Sequence, residues 1–139
     1  MIDAAGAAWH FDQAAETEFI KSQVFVYQDN RAATTALAAY RDVVSRCTSW
    51  QVGASPARYN FQETQETFDV ALGAESVART QTAALISAPD IQPYTVYWVT
   101  SRVGSAIVQV TFEGGILLGI GGKGRAIDLA TAAVANVTR

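Results

Sequence analysis

The stretch YTVYWVTSRVGSAIVQVTFEGG (Tyr94 to Gly115) constrains the fold more than any other. Two β-branched and aromatic runs meet at Gly104-Ser105, the Gly-X form of a two-residue hairpin turn. That turn fixes the register: Val103 opposite Ala106, Ser101 opposite Val108, Val99 opposite Val110, Tyr97 opposite Phe112. These residues share one mostly apolar face, which places Tyr97 in the core. The other face pairs Arg102 with Ile107, Thr100 with Gln109, Trp98 with Thr111 and Val96 with Glu113. A slip of one residue would move every side chain to the wrong side, so the pairing is strongly specified.

Other elements follow from their periodicity. SQVFVYQ (22–28) alternates and reads as a strand. Asp29 and Asn30 are placed to cap a helix running to about Cys47, with Ala33, Ala36, Leu37, Tyr40, Val44 and Cys47 forming one apolar stripe. That stripe assigns Cys47 to the core as a slowly reacting thiol. Residues 48–57, with Gly53 and Pro56, read as a loop, as do residues 67–75. RYNFQETQE (58–66) alternates, and SVARTQTAAL (76–85) is a polar strand. A last helix is expected from about Gly124 to Val137, with Ile127, Ala130, Val134 and Val137 as its buried stripe. The fold class is α+β: a mainly antiparallel sheet packed by an early helix and a C-terminal helix, a two-layer sandwich formed by residues 1–139 as a single domain.

Bulk properties exclude several functions. Half of the 139 residues are hydrophobic and 17% are charged, enough apolar material for one core. The net charge is −3 and the ten Lys and Arg residues are scattered, so no stripe suits a nucleic-acid backbone. No window approaches the roughly 18 apolar residues of a membrane span. MIDAAGAAWHFDQAAETEF carries neither a basic nor an apolar leader region, so no signal peptide is expected within these residues. One His (His10) and one Cys (Cys47) cannot assemble a zinc cluster or an internal disulfide.

GIGGKGRA (Gly119 to Ala126) matches G-x-G-x-x-G, but a dinucleotide turn also needs a following strand and an acid about 20 residues on. The chain runs only 15 residues past Gly124. A Walker A loop fails too, because Leu117 stands where its first glycine belongs and Gly124 follows Lys123. The stretch reads as a turn into the last helix, whose free N–H groups, with Lys123 and Arg125, leave room for an anion. No nucleophile stands beside a base, and the carboxylate pairs Glu63/Glu66 and Glu16/Glu18 belong to no motif. The expectation is a protein that is not an enzyme and needs no cofactor or metal.

Trp98 is the candidate that carries chemistry, with Thr100, Arg102 and Gln109 on its hairpin face. Two readings fit that face. Either a helix covers it, or it lines a cleft in which Trp98 stacks on a ligand and Arg102 meets an anionic group.

The helix pattern from Ala33 to Cys47, the hairpin words VYWVTSRVGSAIVQV (Val96 to Val110) and the closing Ala-rich helix resemble the extracytoplasmic sensor and lipoprotein domains of actinobacteria, the PknH-like extracellular domains. The resemblance spans most of the chain from residue 20. It implies a non-enzymatic ligand-binding or sensor domain of the cell envelope, extracytoplasmic and membrane-tethered in the full-length protein. Its partner would be an unidentified small molecule or envelope component. PknH-like domains have internal disulfides, and a single Cys47 departs from that pattern. The alternatives are a cytoplasmic α+β interaction module, dimeric through an open sheet edge, and a small cofactor-binding enzyme.

Overall fold

A computed structural model describes residues 1–13, 16–53, 60–114 and 122–138. One seven-stranded antiparallel sheet carries two helices, the α+β arrangement expected. In chain order the elements are β1 (Asp3–Gln13), β2 (Glu16–Val26), α1 (Asn30–Arg46), β3 (Ser49–Val52), β4 (Phe61–Phe68), β5 (Glu75–Leu85), β6 (Tyr94–Val103), β7 (Ala106–Glu113) and α2 (Gly122–Val137). Across the sheet the order is β1-β2-β7-β6-β5-β4-β3. The chain makes a hairpin at one edge, crosses through α1 to the far edge, and returns strand by strand until β7 lies beside β2. No helix among the described residues is long and apolar enough to cross a membrane.

The β6–β7 pairing is the one the alternation predicts, from Val96↔Glu113 to Val103↔Ala106. Gly104 adopts φ 57° at its turn, a conformation open to glycine at little cost. Helix α1 starts where Asp29 accepts a hydrogen bond from the Ala32 N–H at 2.8 Å. It ends at Cys47, whose N–H reaches the Val43 carbonyl at 3.1 Å.

Each helix covers one face of the sheet. Helix α2 lies over Ile20, Ala78, Val99, Val110 and Phe112, approaching closely through Ala126 and Ala130. Helix α1 lies on the opposite face, where Ala33, Leu37 and Val44 meet Val77 and Ile107. The sheet is thus shared by two helix-on-sheet packings, one on either side.

Several expectations are corrected. Residues 1–21, left without an element, supply β1 and the first part of β2, paired from Asp3↔Val26 to Gln13↔Glu16. Ser49–Val52 is a short edge strand instead of loop, held by its pairing with β4. Strand β4 continues to Phe68, so the loop expected from residue 67 begins later. Cys47 is exposed, because the helix ends one residue before it and the chain turns away from the core. On α2 the buried positions are Gly122, Ala126, Ala130 and Val134, while Val137 is 37% exposed. The buried stripe runs in steps of four from Gly122, which sits against Tyr97, so Ala126 takes the place expected of Ile127 and Val137 falls outside it.

Candidate functional site

On the α1 side, alternate residues of β4, β5 and β6 point the same way: Glu63 and Gln65, then Arg79 and Gln81, then Trp98 and Thr100. The β5–β6 register sets Arg79 opposite Trp98, and the guanidinium carbon lies 4.1 Å from the centre of the Trp98 ring. Arg79 Nε donates to the Tyr40 hydroxyl of α1 at 3.1 Å. Its Nη1 donates to Gln65 Oε1 at 2.5 Å and to Gln81 Oε1 at 3.3 Å. Gln81 in turn donates to the Glu63 carboxylate. Gln65 is buried, and its amide N–H reaches the Val44 carbonyl in the last turn of α1 at 2.7 Å. A buried amide left without these bonds would be costly, so the network holds Arg79 in one place.

The four residues singled out in the hairpin occupy this same face in three settings. Trp98 is half-buried beneath Arg79. Thr100 is buried and accepts from Gln109 Nε2 at 3.1 Å. Arg102 donates to Asn30 Oδ1 at 2.7 Å and pairs with Glu75 at 3.1 Å, with its side chain 12% exposed. Arg102 is therefore engaged at the start of α1, while Arg79 stands over the indole. Sequence reading passed over Arg79, Gln65 and Tyr40. The signal was present in the alternation of two polar strands, since polar residues on one face of central strands require partners there.

Two recesses lined by described residues open on this face. One, of about 410 Å³, lies at the C-terminal end of α1 against Trp50, Gln65 and Arg79. The other, of about 370 Å³, is bounded by Phe61, Tyr94, Val96, Ala83, Glu63 and Gln81. They adjoin, because Arg79 and Gln81 are successive residues on this face of β5.

The described part of the glycine stretch, from Gly122 on, belongs to the opposite face. A Cβ on Gly122 would lie 2.6 Å from Tyr97 Cε2, so glycine there lets α2 start against that ring. Lys123 Nζ is 4.3 Å from the Phe68 ring and Arg125 lies 5.8 Å from that of Phe112. Gly119 and Gly121 lie outside the described residues. Every neighbouring strand pair is antiparallel, unlike the parallel unit around a dinucleotide turn. Among the described residues no group of three or more His, Cys, Asp or Glu is arranged to hold a metal ion.

No family model and no curated protein matches the sequence. The fold is similar to the extracellular domain of PknH from Mycobacterium tuberculosis, with a TM-score of 0.66 and 11% identity. The match covers 96% of this chain and 64% of that one, so the chain spans under two thirds of the length of its neighbour. At this identity the likeness is one of fold.

Proposed function

We propose that this chain is a non-enzymatic ligand-binding or sensor domain of the bacterial cell envelope, and that its ligand face is the α1 side of the sheet around Trp98. The supporting observation is the contrast between that face, with its recesses at described residues and its aligned polar groups, and the apolar cluster under α2. In this reading Trp98 backs Arg79, the arginine that lines the first recess, Thr100 and Gln109 bond to each other beside it, and Arg102 anchors the hairpin to α1 through Asn30. The fold likeness to an extracellular domain supports a place outside the cytoplasm; a tether in the full-length protein is part of the proposal.

The test is a fragment screen read by the indole N–H signals of Trp50 and Trp98 in two-dimensional NMR. Ligands are expected to move these signals and those of Gln65, Arg79 and Gln109, leaving α2 unmoved. Binders that shift only α2 or the outer edge of β1 would overturn the assignment. An alkaline phosphatase fusion to the full-length protein, active only if this domain is exported, checks the location.

A second reading has its own observation. Strand β1 is an outer edge of 11 residues, with Asp3 to Ala8 exposed. An unpaired edge of that length supports an interaction module that pairs with a second copy. Sedimentation equilibrium distinguishes the two, since a concentration-dependent dimer abolished by proline in β1 favours the module.

A further inference from the structure

We propose that the recess at the C-terminal end of α1 binds a small anionic ligand with an apolar or aromatic body, and that Arg79 receives its charge. This deepens the reading of the Trp98 side as the ligand face and rests on it.

Size comes first. About 410 Å³ lies in the range of small-molecule sites, roughly 300–1,000 Å³. Charge comes second. Among the described residues the ionic side chains lining the recess are Arg46 and Arg79, and no carboxylate lines it. Arg46 is paired on the exposed surface of α1 with Asp42 at 2.8 Å, a contact of small worth in water. Among the described residues the partners of Arg79 are neutral: the Tyr40 hydroxyl, the Gln65 and Gln81 amides and the Trp98 ring. The nearest acid in the network, Glu63, is reached only through Gln81. A half-buried guanidinium with neutral neighbours favours an incoming anion, since charges withdrawn from water are normally paired.

Preorganisation comes third. Trp98 holds the guanidinium plane from one side while Tyr40 and Gln65 fix two of its nitrogens. A ligand therefore meets an arginine whose rotamer is already set. The helix end that closes the recess carries partial negative charge, which would oppose an anion. Here the Val44 carbonyl is engaged by Gln65 and the Val43 carbonyl by the Cys47 N–H. The walls supply the rest: Val43 is 59% exposed, and Trp50 is half-buried across from it. The adjoining recess has the opposite sign, with Glu63 as its one ionic lining group among the described residues, so the preference for anions belongs to the first recess.

The experiment uses two probes with the same ring system, 8-anilinonaphthalene-1-sulfonate and N-phenyl-1-naphthylamine, which lacks the sulfonate. Both are titrated into the native protein and followed by probe emission and tryptophan quenching. The sulfonate is expected to bind at one site, at least about tenfold tighter than the neutral probe. Arg79→Met should weaken the sulfonate by about tenfold or more, the loss expected of one charge-assisted hydrogen bond, and change the neutral probe by about twofold at most. Because Arg79 also braces the sheet, Val43→Glu and Val43→Gln provide an independent pair on an exposed helix position. The carboxylate variant should bind the sulfonate about tenfold more weakly than the amide variant, with no such gap for the neutral probe. If both probes bind alike and ignore these substitutions while moving the Trp50 signal, the face binds ligands but the anion inference is overturned. If neither binds, or the sulfonate binds undisturbed by Arg79→Met, the inference is also overturned.

Discussion

Phe112 and Trp98 stand on neighbouring strands of one sheet, yet they face different worlds. Phe112 is fully buried among Val99, Val110, Ala126 and Ala130, with Tyr97 stacked 6.5 Å away. Trp98 is half-buried under a guanidinium, in a field of glutamine, threonine and arginine. Both helices press on the sheet, but α2 meets Ile20, Ala78, Val99, Val110 and Phe112, whereas the apolar contact of α1 is with Val77, Ile107, Phe25 and Tyr27. Where the apolar contact ends on the α1 side, the side chains are planar, hydrogen-bonded and open to a recess. Evolution of a binding surface needs such a face, because apolar packing alone offers no orientation to a ligand.

The contrast is most severely tested by truncating one aromatic on each side. Phe112→Ala should cost about 3–5 kcal/mol, as for a fully buried ring. Trp98→Ala should cost no more than roughly half of that, since part of its surface is already wet. Denaturant melts of the two single variants give the comparison directly. Equal losses would mean that the α1 side is packed as tightly as the other.

Next come substitutions that change the polar network or the helix start. Gln65→Leu keeps the volume but leaves the Val44 carbonyl and Arg79 without the amide, and should cost about 1–3 kcal/mol. The same variant should loosen Arg79 and broaden the Trp98 indole signal. Retained stability with an unchanged indole signal would show that the network does not hold Arg79 in place. On the α2 side, Gly122→Ala must push against Tyr97 and is expected to destabilise by about 1–2 kcal/mol. Gly124→Ala, with open space around it, should instead be neutral or stabilise by up to about 1 kcal/mol. Thermal melts of the two variants should therefore move in opposite directions. If both raise the melting temperature, the glycine at the start of α2 serves only the turn.

The β6–β7 register and the capped start of α1 were legible because each is written locally. A two-residue turn fixes which residues face each other, and an Asp at the N-cap fixes where a helix begins. Strand β1 was not legible, since DAAGAAWHFDQ has little β-branched content and gains its structure by pairing with β2. Strand β3 is four residues long and exists through its pairing with β4. The candidate site was half legible. Trp98 and Arg102 were read onto one face correctly, because they share a strand with Thr100. The arginine that stands over Trp98 comes from β5, joined to β6 by residues 86–93. A connection of that length sets no register, so the Arg79↔Trp98 pair appears only with the folded sheet.

The smallest expected effect is at Cys47, and it bears on where the α1 side ends. The helical stripe places its thiol with Leu37 and Val44, but the helix stops at Arg46, and each further residue of a helix would turn by about 100°. Once that turn is not made, Cys47 faces solvent at the rim of the larger recess. Cys47→Ser should therefore change stability by less than about 0.5 kcal/mol, as for other exposed positions. Disulfide-exchange reagents should label the native thiol stoichiometrically, at a rate close to that of the unfolded chain. If an anionic probe fills the recess, labelling should slow, because the thiol borders the same space, whereas truncation of Phe112 on the far side should leave that protection intact in the folded fraction. Sluggish labelling of the native protein without any ligand would return Cys47 to the core and extend the apolar contact of α1 past Val44. In that case the recess would close, and the two faces would differ less than the structure shows.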